Sequence, residues 1–206
     1  MSTRPQSLID VSKYVQAKAG VPASNMSIRA ARSARGFHAG KAEIFGPNGH
    51  GNRDYSVRDP RNLAGLTDAS SAIDVKIPIP QLKALTAHLV EEGKAGSLLF
   101  EVIGPDATGK ANYWSVKTGW LPRPNLAPAS HSWHAHLGFW RDTEFADRVA
   151  PFRSFFEGPA APAPVPEPDP DTTPDASPTL TDIEEALAEN DALKAKIAAA
   201  QAALNG

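Results

Sequence analysis

There is no cysteine anywhere in the 206 residues. That excludes a disulfide framework, a thiolate metal site and a thiol nucleophile, and it leaves the redox compartment unspecified. Long apolar runs are missing too. No stretch approaches the roughly 20 residues of a membrane span, and the opening MSTRPQSLIDVSKYVQ lacks the apolar segment of a signal peptide. A soluble chain with no membrane partner and no signal peptide is therefore expected. Nor is there a strong charge of one sign, since 21 Lys/Arg stand against 23 Asp/Glu. The small net charge hides an asymmetry: residues 1–156 carry 19 basic and 13 acidic side chains, hence +6, while 157–206 carry 2 and 10, hence −8. A cationic body could favour cell-wall polymers or nucleic acid. Its basic residues are scattered and not interleaved with aromatics, however, so nucleic acid is not the expected partner.

What is present divides the chain into three. GPAAPAPVPEPDPDTTPDASP, Gly158 to Pro178, contains eight of the nineteen prolines and no basic residue. It predicts a disordered, extended linker over 157–178. The following 179–206 changes character: Thr181 with Glu184 forms a capping-box pattern, alanine is abundant and Asn205-Gly206 supplies a stop. A single C-terminal helix is expected over 181–204, its narrow stripe of Ile183, Leu187, Leu193, Ile197 and Leu204 suiting a coiled coil with copies of itself or docking on another protein. The body, 1–156, mixes both periods. Ser7 to Gly20 and Pro80 to Gly93 read as helices ended by glycine, and SAIDVKI, SLLFEVIG, NYWSVKTGW and HAHLGFW read as strands, with GPDATGK as a hairpin turn. The expected fold is α+β, a small antiparallel sheet with flanking helices.

Chemistry concentrates in SHSWHAHLGFWRD, Ser130 to Asp142, which holds three of the six histidines. A strand period of two places His134 and His136 on one face, with His131 where the chain enters. Paired imidazoles on a strand suit a zinc site, in which two or three protein ligands leave a position for water. His38, in RGFHAGK, and Asp74, between Ile73 and Val75, offer partners from elsewhere. An aspartate in that setting is equally well explained by a strand face turned to solvent. His50 reads as an exposed turn residue, His88 as a helix-face residue, and Trp114, Trp120, Trp133 and Trp140 as packing for the sheet.

Gly36-Phe37-His38, Ala72-Ile73-Asp74 and His134-Ala135-His136, in that order, resemble the motifs of the zinc D-alanyl-D-alanine carboxypeptidases and murein endopeptidases, a fold shared with the hedgehog signalling domain. The segments DYSVRDPRNLAGLTDASSAIDV and SHSWHAHLGFWRDTEF are further similar to uncharacterised proteins of actinobacterial phages and prophages. The resemblance spans residues 30–147. It implies Zn²⁺ held by His38, Asp74 and His136, with bacterial cell-wall peptide as substrate and a phage virion or cell wall as location. Two departures stand out. The peptidases place the first His and the Asp a few residues apart, whereas thirty-five residues, 39–73, intervene here, and no Glu lies just before the final His to act as base. His134 or His131 is then expected to carry the proton and stabilise the oxyanion.

Within the intervening segment Asp54, Arg58 and Arg61 could meet an acidic peptide, although a solvated loop is the simpler reading. Arg141 and Asp142, just beyond the strand, could be substrate contacts, although an ion pair on the rim is the simpler reading. A second class of function stays open: a non-catalytic virion or host-attachment protein that keeps the domain as a binding head and clusters copies through the C-terminal helix to raise avidity.

Overall fold

The computed structural model describes residues 3–28 and 36–158. The chain divides into two units at Ala161/Pro162, and every described residue belongs to the first. The linker expected over 157–178 and the segment 179–206 with its expected helix lie outside the described residues, except that Glu157 closes a helix of the body and Gly158 follows it.

The fold is α+β. In chain order the elements are α1 (Gln6–Ala19), β1 (Met26–Ser27), α2 (Lys41–Ile44), α3 (Pro60–Ala64), β2 (Ala72–Val75), α4 (Ile79–Lys94), β3 (Leu99–Pro105), β4 (Ala111–Ser115), β5 (Ala135–Phe139) and α5 (Ala150–Glu157), with short 3₁₀ turns between them. The strands form one antiparallel sheet in the order β1-β2-β5-β3-β4. β5, the latest strand in the chain, therefore lies between β2 and β3.

Local sequence explains the helices. Pro5 and Pro78 precede α1 and α4, where a missing N–H costs nothing. Gly20 ends α1 in the left-handed region, φ 65°. Leu8, Val11 and Val15 of α1, and Leu82, Leu85 and Leu89 of α4, recur at helical spacing and are buried. They meet Ile73, Val75, Val102, Trp114, Ala135, Leu137 and Phe139 in the main core.

Those seven strand residues all belong to one face of the sheet. By the strand period, Ala72, Asp74, His136, Gly138, Ile103 and Tyr113 occupy the other. A register shift between Leu99 and Glu101 adds one residue to β3. Leu99 and Val102, three positions apart, can then both enter the main core. Phe100 joins Phe37, Ala72 and Trp140 in a second cluster, and Glu101 is left beside the histidine face.

Two expectations need correction. NYWSVKTGW is a strand only to Ser115, because the Ser115 hydroxyl accepts from Thr118 N–H and the Thr118 hydroxyl accepts from Ser115 N–H, a reciprocal cap that bends the chain away. The turn carries Trp120 back over α4, where a Cβ on Gly93 would come within 2.2 Å of the indole. Trp114, Trp120 and Trp140 are buried as packing residues, but Trp133 is 48% exposed because it sits in a bend before β5.

Candidate metal centre

His136 and Asp74 are directly opposed on β5 and β2, and the antiparallel ladder alone sets them side by side. His38 arrives from a loop. Its neighbours fix that loop: Ser71 N–H donates to Phe37 O at 2.7 Å, Gly36 N–H donates to the Asp54 carboxylate at 2.9 Å, and the Phe37 ring lies 5.0 Å from that of Phe100. Gly36 has φ 76°, and a Cβ there would press on the Tyr55 hydroxyl at 2.9 Å. Only glycine takes that conformation beneath the tyrosine without strain.

Three ligand atoms converge. His38 Nε2 lies 3.0 Å from Asp74 Oδ1 and 3.1 Å from His136 Nδ1, and His136 Nδ1 lies 3.0 Å from Asp74 Oδ1. The outer nitrogens decide where the protons are. His38 Nδ1 faces the Ile28 carbonyl at 3.0 Å and His136 Nε2 faces the Glu101 carboxylate at 3.2 Å. Both partners only accept, so both outer nitrogens donate. The inner nitrogens then turn lone pairs toward the Asp74 oxygen. Three acceptors this close repel unless positive charge stands among them, and either a proton on His136 or a bound cation supplies it.

The triad can hold a metal ion. A tetrahedral zinc with bonds of about 2.0–2.1 Å spaces its ligands by roughly 3.3–3.4 Å, so the triangle would open by only a few tenths of an ångström. The outer hydrogen bonds are of the kind that metal-bound histidines make, one to a backbone carbonyl and one to a carboxylate. Among the described residues no other group of three such side chains converges in this way.

The same geometry governs protonation. Burial opposes charge on His136, but hydrogen bonds and charge from Asp74 and Glu101 override it and raise its pKa to about 9. Burial would raise the pKa of Asp74; hydrogen bonds from His136 and His38 outweigh it and hold the carboxyl well below the usual range.

The triad lies in a cleft of about 310 Å³ whose other walls include Tyr55, Ile103, Pro128, His131 and His134. His134 precedes β5 instead of lying within it, and the bend that exposes Trp133 still leaves His134 on the cleft. Its ring stands 4.4 Å from that of His131, which stands 6.2 Å from that of His136. Burial, reinforced by the neighbouring imidazoles, lowers His131 to about 4, and burial also lowers His134. Both are neutral at pH 7. The five histidine and aspartate positions singled out in the sequence thus border one cleft.

Other expected site residues are placed differently. Arg141 does not pair with Asp142. It is buried, and its guanidinium donates to Gly36 O, Ala39 O and Ser56 Oγ at 3.0–3.1 Å, bracing the loop that carries His38. Asp142 instead accepts from Arg61 at 2.6 Å. Asp54 is no solvated loop residue: it is buried and accepts from Gly36 N–H, Ser56 N–H and the Ser56 hydroxyl. Arg58 caps Arg53 O at the surface. His50 is exposed, and His88 Nε2 lies 3.0 Å from Pro151 O between α4 and α5.

Glu101 went unnoticed in the sequence. The available signal was a carboxylate in the apolar run SLLFEVIG, where a charge is retained only with partners. No protein-family model, curated protein or solved structure matches this chain.

Proposed function

We propose that the chain is a zinc-dependent peptidase-like protein of phage or prophage type that acts on bacterial cell-wall peptide. The observation that carries the reading is the convergence of His38 Nε2, Asp74 Oδ1 and His136 Nδ1, all within 3.1 Å of one another, at the floor of an open cleft. A zinc ion there supplies Lewis acidity toward a peptide carbonyl and makes a bound water more acidic. His131 and His134, neutral at pH 7, accept or donate a proton on the cleft wall and hydrogen-bond a developing oxyanion. The resemblance of the three motifs to the carboxypeptidase and endopeptidase group supports zinc over other ions and peptide over other substrates.

A second reading has its own support. Asp74 faces the triad centre and Glu101 faces His136, so neither is free to act as the general base that this class of peptidase commonly takes from a glutamate. A host-attachment head that binds wall peptide without cleaving it fits that arrangement, with residues 179–206 clustering copies.

The test is metal content and turnover together. Purified wild type should hold one zinc per chain and release soluble fragments from peptidoglycan, and His136→Ala should do neither. Zinc with wall binding and no release selects the attachment head. Equal metal in both proteins overturns the ligand set.

A further inference from the structure

Glu101 is the most deeply buried carboxylate among the described residues, with no exposed surface. A charge so placed is costly unless its oxygens are satisfied. Both are. Oε1 accepts from His136 Nε2 at 3.2 Å and from the Tyr55 hydroxyl at 3.4 Å, and Oε2 accepts from the Tyr113 hydroxyl at 3.1 Å. Burial and the Glu101 charge both raise the pKa of each tyrosine, so the hydroxyls stay protonated and keep donating.

The backbone makes room for this group. The extra residue in β3 leaves Glu101 on the histidine side of the sheet. Opposite it on β5 stands Gly138, where a Cβ would lie 2.7 Å from the Glu101 side chain. Two tyrosines, a bulge and a glycine thus serve one carboxylate that the core has no use for.

We infer that Glu101 is a positioning residue of the metal centre: it holds His136 with its proton on Nε2, so that Nδ1 turns its lone pair to the ion, and it sets a second negative charge behind that ligand. The inference rests on the metal-binding part of the proposed function and is independent of peptide cleavage. Loss of such an outer partner commonly lowers metal affinity 10- to 100-fold.

Zinc affinity is to be measured by chelator competition on the full chain in wild type, Glu101→Gln and Tyr113→Phe. The His136 Nε2–H proton resonance of each zinc-loaded protein is read in parallel, because that signal reports the hydrogen bond and not overall packing. Expected are a 10- to 100-fold weaker affinity and an upfield-shifted resonance for Glu101→Gln, with smaller changes of the same sign for Tyr113→Phe. Should Glu101→Gln fail to fold, Tyr113→Phe carries the test alone. Wild-type affinity with an unmoved resonance in the folded variants overturns the role of Glu101 while leaving the zinc site standing. A wild type that binds no zinc overturns the site itself.

Discussion

Asp74 and His136 stand directly across from each other on neighbouring strands, Oδ1 to Nδ1 3.0 Å apart. The sheet ladder fixes this half of the triad whether or not an ion is bound, and His38 completes it from a loop. Affinity, proton uptake and stability should therefore be linked through His136.

Zinc binding should release protons. With the His136 pKa near 9 in the metal-free protein, the site is protonated at pH 7 and the ion displaces that proton. Apparent affinity is expected to rise about tenfold per pH unit between roughly pH 7 and 9, then level off. Calorimetric titrations in buffers of different ionisation enthalpy should count about one proton released at pH 7. A pH-independent affinity would place the proton elsewhere.

Stability of the metal-free protein should fall toward alkaline pH. The folded pKa of His136 lies above its unfolded value of 6.5, so the stabilisation from its proton is complete below 6.5 and lost as pH rises through about 9. Its size is on the order of 3 kcal/mol. Asp74 acts at the other end: its depressed pKa gives stability that is present above the ordinary carboxylate range and lost as pH falls toward the folded value. Urea unfolding from pH 4 to 10, with and without zinc, should show the alkaline loss only in the metal-free samples.

His131→Ala and His134→Ala should each keep stoichiometric zinc, because neither side chain belongs to the converging triad. If the cleft is catalytic, release of peptidoglycan fragments should drop about 10²- to 10⁴-fold in whichever variant removes the proton carrier. Loss of zinc from either variant would make that histidine a ligand.

Arg141→Met should destabilise by about 2–4 kcal/mol in urea titration, since it strips donors from Gly36 O, Ala39 O and Ser56 Oγ in a buried setting. Zinc affinity should weaken as well, because Gly36 and Ala39 flank His38. Asp142→Asn, by contrast, removes only an exposed pair with Arg61 and should cost under about 1 kcal/mol.

The sequence made the helices legible because Gly20 and Pro80 punctuate clear helical periods, and it made β5 legible because its apolar residues alternate and β2 and β3 legible as short apolar runs bounded by turn residues. His134 and His136 stood out as paired imidazoles at the strand period, and His38 and Asp74 joined them through the resemblance of their motifs to a zinc-peptidase set. Glu101 did not, because its meaning depends on a one-residue register shift and on Gly138 across the sheet, and neither has a local signature. Arg141 and Asp54 were misplaced for a related reason. Asp54, in a glycine-rich polar segment, looks solvated and Arg141, beside Asp142, looks like half of an ion pair, and nothing in the linear order reveals that Asp54 clamps Gly36 while Arg141 braces the carbonyls around His38. Trp133 was assigned to the core on residue type alone, and the bend that exposes it follows no period.

The irregularity in β3 ties the two imidazoles to one foundation. Phe100 underlies Phe37, the neighbour of His38, at a ring separation of 5.0 Å, and the very next residue, Glu101, grips His136. Loop-borne and strand-borne imidazoles thus rest on consecutive side chains, and a displacement of that short stretch would carry both of them together.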